Sequence, residues 1–169
     1  METPSATSTP EPGRSRQSLS ALGDALRTLH RVLVARSRYD FERERHAVLN
    51  RAELLQLLTS DPRFAWLRSL SELIVDLDVF LKTDPAPTDD DASALGAELQ
   101  RLLAPASAAG TESDFAAHYW PYVQDDGQVA LAHGEVLQAL VRLPDVRDVD
   151  EAQIMHERHR WTEVRRHQR

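Results

Sequence analysis

The sequence predicts an all-α protein: an antiparallel bundle of about four core helices, with short and C-terminal helices around it. Three observations predict it. Apolar residues recur at spacings of three and four along most of the chain, which is the period of a helix with one buried face. No segment alternates with the period of two that marks a half-buried strand. Glycine is scarce, with 6 in 169 residues, and several fall between helical patterns.

The strongest stripe runs from Asp61 to Lys82 and reads as one amphipathic helix. Asp61 is the expected cap, and Pro62 stands where its missing N–H costs nothing. Phe64, Trp66, Leu67, Leu70, Leu73, Ile74, Leu77, Phe80 and Leu81 then share a face. Burial of each larger side chain is worth about 1.5–3 kcal/mol. The other helices must therefore cover it, with Phe64, Trp66, Leu67, Leu70, Ile74 and Leu77 as its core anchors.

Residues 1–17 are rich in Ser, Thr and Pro and hold almost nothing apolar, so a disordered tail is expected. The bundle is expected over 18–144. Its first helix opens at Ser18 or Ser20 and carries Leu19, Leu22, Leu26, Leu29 and Leu33 to about Ala47. Arg36 with Asp40, and Arg38 with Glu42, are four apart and can pair. Asn50 and Glu53 form a capping box for a short helix, Arg51 to Thr59, with Leu54, Leu55, Leu57 and Leu58. Thr88 followed by three aspartates starts a helix whose apolar face is Ala92, Leu95, Leu99, Leu102 and Leu103. Thr111 with Asp114 starts another, in which Pro121 predicts a kink or break. Asp125-Asp126-Gly127 is a turn that can cap a last bundle helix bearing Val129, Ala132, Val136, Leu137, Leu140 and Leu143. Residues 145–169 read as a C-terminal helix or basic arm.

The Asp61-Pro62-Arg63-Phe64-Ala65-Trp66-Leu67-Arg68 block, followed by Leu70-Ser71-Glu72-Leu73-Ile74, resembles a family of small bacterial helical proteins of unknown function. Leu29-His30-Arg31 and Leu131-Ala132-His133 extend the likeness over roughly residues 24–143. The resemblance implies an all-helical cytoplasmic protein and no nameable activity. Only Lys82 among the 20 basic residues is lysine, which fits a GC-rich bacterial coding bias.

Composition narrows function further. The absence of cysteine excludes disulfides and thiolate metal sites. No apolar run approaches the roughly 20 residues that span a bilayer, so no membrane role is expected. A net charge of −7 disfavours nucleic acid and anionic membrane as partners of the whole molecule. The chain holds no glycine-rich phosphate loop, no Gly-x-Ser-x-Gly elbow and no calcium-loop spacing in Asp84–Asp91.

A few polar residues invite chemistry. His30, His118 and His133 fall on apolar faces of three helices, and Asp78 edges the central stripe. Three imidazoles and a carboxylate suit zinc or iron if they converge. No Glu-x-x-His occurs, so the di-iron carboxylate pattern is absent. The plainer expectation is that each is a boundary residue bonded to a neighbour. A His30–Asp78 pair that fixes helix register is favoured over metal. Arg158, Arg160, Arg165, Arg166 and Arg169 make the C-terminal arm basic, suited to an anion or an acidic partner, or else to the negative end of its own helix. Trp66 belongs to the core, whereas Trp120 and Trp161 are satellites or exposed anchors for a partner. The leading expectation is a non-enzymatic interaction or regulatory module of the cytoplasm, acting on a protein partner or as a homodimer. A metal- or cofactor-binding bundle is the alternative, with the cofactor unspecified. Contact with nucleic acid or another anion through the arginines comes third.

Overall fold

Leu19, Leu22, Leu26, Leu29 and Leu33 have no solvent exposure, and they make the first helix the axis of the molecule. The computed structural model describes residues 14–82, 87–105 and 114–143. Six α-helices and one 3₁₀ turn account for 88% of them, with no strand among the described residues, so the fold is all-α. The chain runs α1 (Arg14–Arg45), α2 (Arg51–Ser60), a 3₁₀ turn (Pro62–Leu67), α3 (Arg68–Lys82), α4 (Asp89–Leu103), α5 (Asp114–Asp125) and α6 (Gly127–Leu140). α1 lies most extensively against α6 and α3.

α1 begins before Ser18 and Ser20, so residues 14–17 belong to it and not to a disordered tail. The reason is tertiary: Ser15 is buried and donates a hydrogen bond to Asp89 at the start of α4. At its other end His46 takes the left-handed conformation, with φ 51°. The Ala47 N–H then reaches back to the Glu42 carbonyl at 3.2 Å, which closes the helix two residues early. Both expected pairs form, Arg36–Asp40 at 3.2 Å and Arg38–Glu42 at 2.8 Å. Arg38 also donates to the Leu49 carbonyl and Glu42 accepts the Leu49 N–H, so the connection to α2 is tied down on α1.

The Asn50–Glu53 capping box is present at α2. None of the α2 residues is buried, however, and Leu55 is 63% exposed. Four leucines in five positions cover more than one face of a helix, and only Leu57 and Leu58 reach the core.

The expected single helix from Asp61 to Lys82 divides in two. Asp61 accepts the Arg63 N–H, and residues 62–67 wind as a 3₁₀ turn before α3 begins. With three residues per turn, Phe64 and Leu67 lie one above the other and Trp66 turns inward beside them. All three are buried, as are Leu70, Leu73, Ile74 and Leu77 of α3. Trp66 meets Phe115 of α5, ring centroids 5.6 Å apart. Arg63 holds the Asp61 carboxyl down at about 2.

α1 and the segment 62–82 run in opposite directions. A Cβ on Gly23 would meet Leu77 at 3.3 Å, His30 bonds Ser71, and the Phe41 and Phe64 rings lie 5.9 Å apart.

Thr88 and Asp91 form a second capping box at α4, which buries Ala92, Leu95, Leu99 and Leu103. Leu102 is only half-buried. α5 runs unbroken through Pro121. The bond the proline forgoes is the one to the carbonyl of Ala117, an exposed position that water can serve. Asp126 caps α6 by accepting the Gln128 and Val129 N–H groups. It also accepts from Arg36 at 3.3 Å, which joins the α5–α6 corner to α1. Val129, Ala132, Val136, Leu140 and Leu143 are buried, while Leu137 faces outward. The expected Thr111 start and the C-terminal helix or arm lie outside the described residues.

Candidate functional site

The four residues proposed as metal ligands are not brought together. Asp78 pairs with Arg27 of α1 at 2.6 Å. His118 is half-exposed, stacks on Trp66 and donates from Nδ1 to the Asp114 carbonyl of its own helix at 2.9 Å. His30 bonds Ser71, and His133 bonds Tyr119. Among the described residues no group of three His, Cys, Asp or Glu side chains could hold a metal ion. The His30–Asp78 register pair is likewise replaced. Two separate contacts, Arg27–Asp78 and His30–Ser71, link the same two helices instead. Periodicity does not say which way each neighbouring helix is rotated, and His118 lies on an exposed side of its own helix.

His30 is the residue with the most suggestive surroundings. It lines an open cleft of about 350 Å³ with Leu58 and Thr59 of α2, Phe64 and Leu67 of the 3₁₀ turn, and Arg68 and Ser71 of α3. The Ser71 hydroxyl lies 2.8 Å from His30 Nε2 and 3.0 Å from the Leu67 carbonyl. A carbonyl only accepts, so the single hydroxyl proton of Ser71 goes there. Nε2 must then carry the proton it shares with Ser71 Oγ, and Nδ1 is left as an acceptor. Burial pushes the His30 pKa down, which keeps the ring neutral. This direction of donation matters for chemistry. An activated serine gives its proton to the imidazole, and Ser71 receives one.

A second imidazole site joins α5 to α6. Tyr119 is fully buried, and its hydroxyl lies 2.6 Å from His133 Nδ1. Burial pushes the phenol pKa up, so Tyr119 keeps its proton, and with no other acceptor among the described residues the hydroxyl donates it to Nδ1. His133 is held neutral by burial as well. Trp120 closes the group, its ring edge-on to both Tyr119 and His133. It is therefore satellite packing, with a buried indole N–H that has no partner among the described residues. Trp161 and the five arginines of the basic arm lie outside the described residues.

The outward side of α6 is the third feature. Ala130, Gly134, Leu137 and Val141 share one stripe, and Leu131, Glu135, Gln138 and Arg142 share the next. Leu131 is 67%, Leu137 44% and Val141 86% exposed. A Cβ on Gly134 would meet nothing within 4 Å, so there is room beside Leu137 at that position. The α6 pattern Val129–Leu143 was legible from the sequence, but Leu137 belongs to this outer side.

Sequence reasoning missed Ser71, Arg68 and Thr59 altogether. Ser71 had one signal: a hydroxyl four residues after Leu67 and three before Ile74, at the edge of the apolar stripe. Compared with known protein families, with curated proteins and with solved structures, the chain matches none. Among the described residues no helix is long and apolar enough to cross a membrane.

Proposed function

We propose that this is a non-enzymatic interaction protein that pairs with a second copy of itself through the outward side of α6. The observation that carries the proposal is the exposed row Leu137 and Val141 beside the bare surface over Gly134. A second copy suits this surface because its charges are self-complementary. Glu135 and Arg142 lie on the same flank, toward opposite ends of the row, and neither has an ion-pair partner among the described residues. Two such helices laid antiparallel bring each Glu135 toward the other copy's Arg142, as a two-fold interface requires. Gly134 gives room for the opposing Val141. The donation from His30 to Ser71 supports the non-enzymatic part, since it leaves no activated nucleophile there.

The same reading places the chain in the small bacterial helical family that its Asp61–Ile74 block resembles, in the cytoplasm. It also treats the body as an antiparallel bundle, supported by the opposite directions of α1 and α3.

The 14 residues of α6 span about 21 Å, so the pairing is small and transient. Light scattering should show a dimer that grows with protein concentration up to roughly 1 mM. Val141→Glu should abolish it. Glu135→Arg or Arg142→Glu should weaken it about fivefold, and the double exchange should restore it. A monomer at every concentration, or a dimer indifferent to Val141→Glu, would overturn the proposal.

A further inference from the structure

The cleft beside His30 keeps its apolar and polar groups apart. Phe64 and Leu67 are buried and form its floor, with the half-buried Leu58 beside them. Around this floor stand three polar side chains with hydrogen-bonding capacity to spare. Arg68 is exposed and pairs with no carboxylate among the described residues. His30 commits Nε2–H to Ser71, and its Nδ1 has no hydrogen-bond partner among the described residues. Thr59 gives its hydroxyl proton to the Leu55 and Gln56 carbonyls, so its oxygen can only accept from a newcomer.

We infer that this cleft binds a small carboxylate with a flat apolar body and one O–H or N–H donor. Each part of that description answers one wall. The carboxylate meets Arg68, whose planar fork matches it. The apolar body covers Phe64, Leu67 and Leu58. The donor supplies His30 Nδ1 or the Thr59 oxygen with the proton that each lacks. Size agrees: about 150 Å³ already houses benzene, so 350 Å³ takes one aromatic ring with a short acid arm. Among the described residues the lining holds no carboxylate, which disfavours a divalent cation, and a single arginine is too little for a nucleotide's phosphates. The inference does not depend on the pairing of α6.

Calorimetric titration of the full chain with three probes tests it: 4-hydroxyphenylacetate, phenylacetate and 4-hydroxyphenylacetamide. The hydroxy acid should bind most tightly. Removing the hydroxyl should weaken binding about threefold, and replacing the acid by the amide about tenfold. Arg68→Gln, at an exposed position, should bring the hydroxy acid down to the level of the amide and leave the amide unchanged. No binding by any of the three would overturn the inference. So would equal binding of acid and amide, or a hydroxy acid affinity untouched by Arg68→Gln.

Discussion

Two imidazoles sit on apolar helix faces, each bonded to a hydroxyl on a neighbouring helix. The distances are 2.8 Å for His30–Ser71 and 2.6 Å for His133–Tyr119. Both rings are kept neutral by burial. They differ in the direction of the proton. His30 donates to Ser71, whereas His133 accepts from Tyr119. They differ also in what surrounds them, an open cleft for His30 and the rings of Tyr119 and Trp120 for His133. A histidine enclosed by aromatic rings is part of the packing. One that borders a cleft, with an acceptor unused, can meet a ligand. Residue type and helix face are the same in both cases, so neither decides the role.

The largest effect should come from the closed site. Tyr119→Ala removes a fully buried ring stacked on Phe115 and should cost about 3–5 kcal/mol in chemical denaturation. Tyr119→Phe keeps the ring but leaves His133 Nδ1 without its donor, and should cost about 1–3 kcal/mol. Ser71→Ala should cost less, about 0.5–1 kcal/mol, because water in the cleft can take over the His30 Nε2–H. Equal losses for Tyr119→Phe and Ser71→Ala would erase the distinction between the sites.

The acid response is the smallest of these effects. Both folded pKa values lie below the ordinary histidine value of 6.5, so the unfolded chain binds protons first as the pH falls. The stability these two rings contribute is complete above about 6.5 and is lost as the pH falls through the folded values. His30→Gln with His133→Gln should flatten the fall in stability below about pH 6.5 relative to the parent chain. An unchanged slope would show that neither ring is held neutral.

What could be read from the residues was local. Asn50 with Glu53 and Thr88 with Asp91 each satisfy backbone groups three positions away, and such caps need no knowledge of the rest of the chain. The leucine stripe of α1 has one buried face whatever covers it. The 3₁₀ turn escaped because Phe64, Trp66 and Leu67 satisfy an apolar stripe under either winding. The early start of α1 depends on Asp89, 74 residues away. The cleft is of the same kind. His30, Thr59 and Arg68 come from three helices, and only the rotation of each about its axis brings them to one wall. No single segment carries that information.

The 32 residues of α1 make a rod about 48 Å long, and its broadest partner is α6. The Arg36–Asp126 contact closes a loop of 90 residues. During synthesis the side of α1 that meets α6 therefore waits, uncovered, until nearly all of the described chain has been made. Such late, distant closure favours all-or-none assembly over stepwise growth. A nascent chain halted before Gly127 would leave the α6-facing side of α1 open to whatever chaperone or protease meets it first.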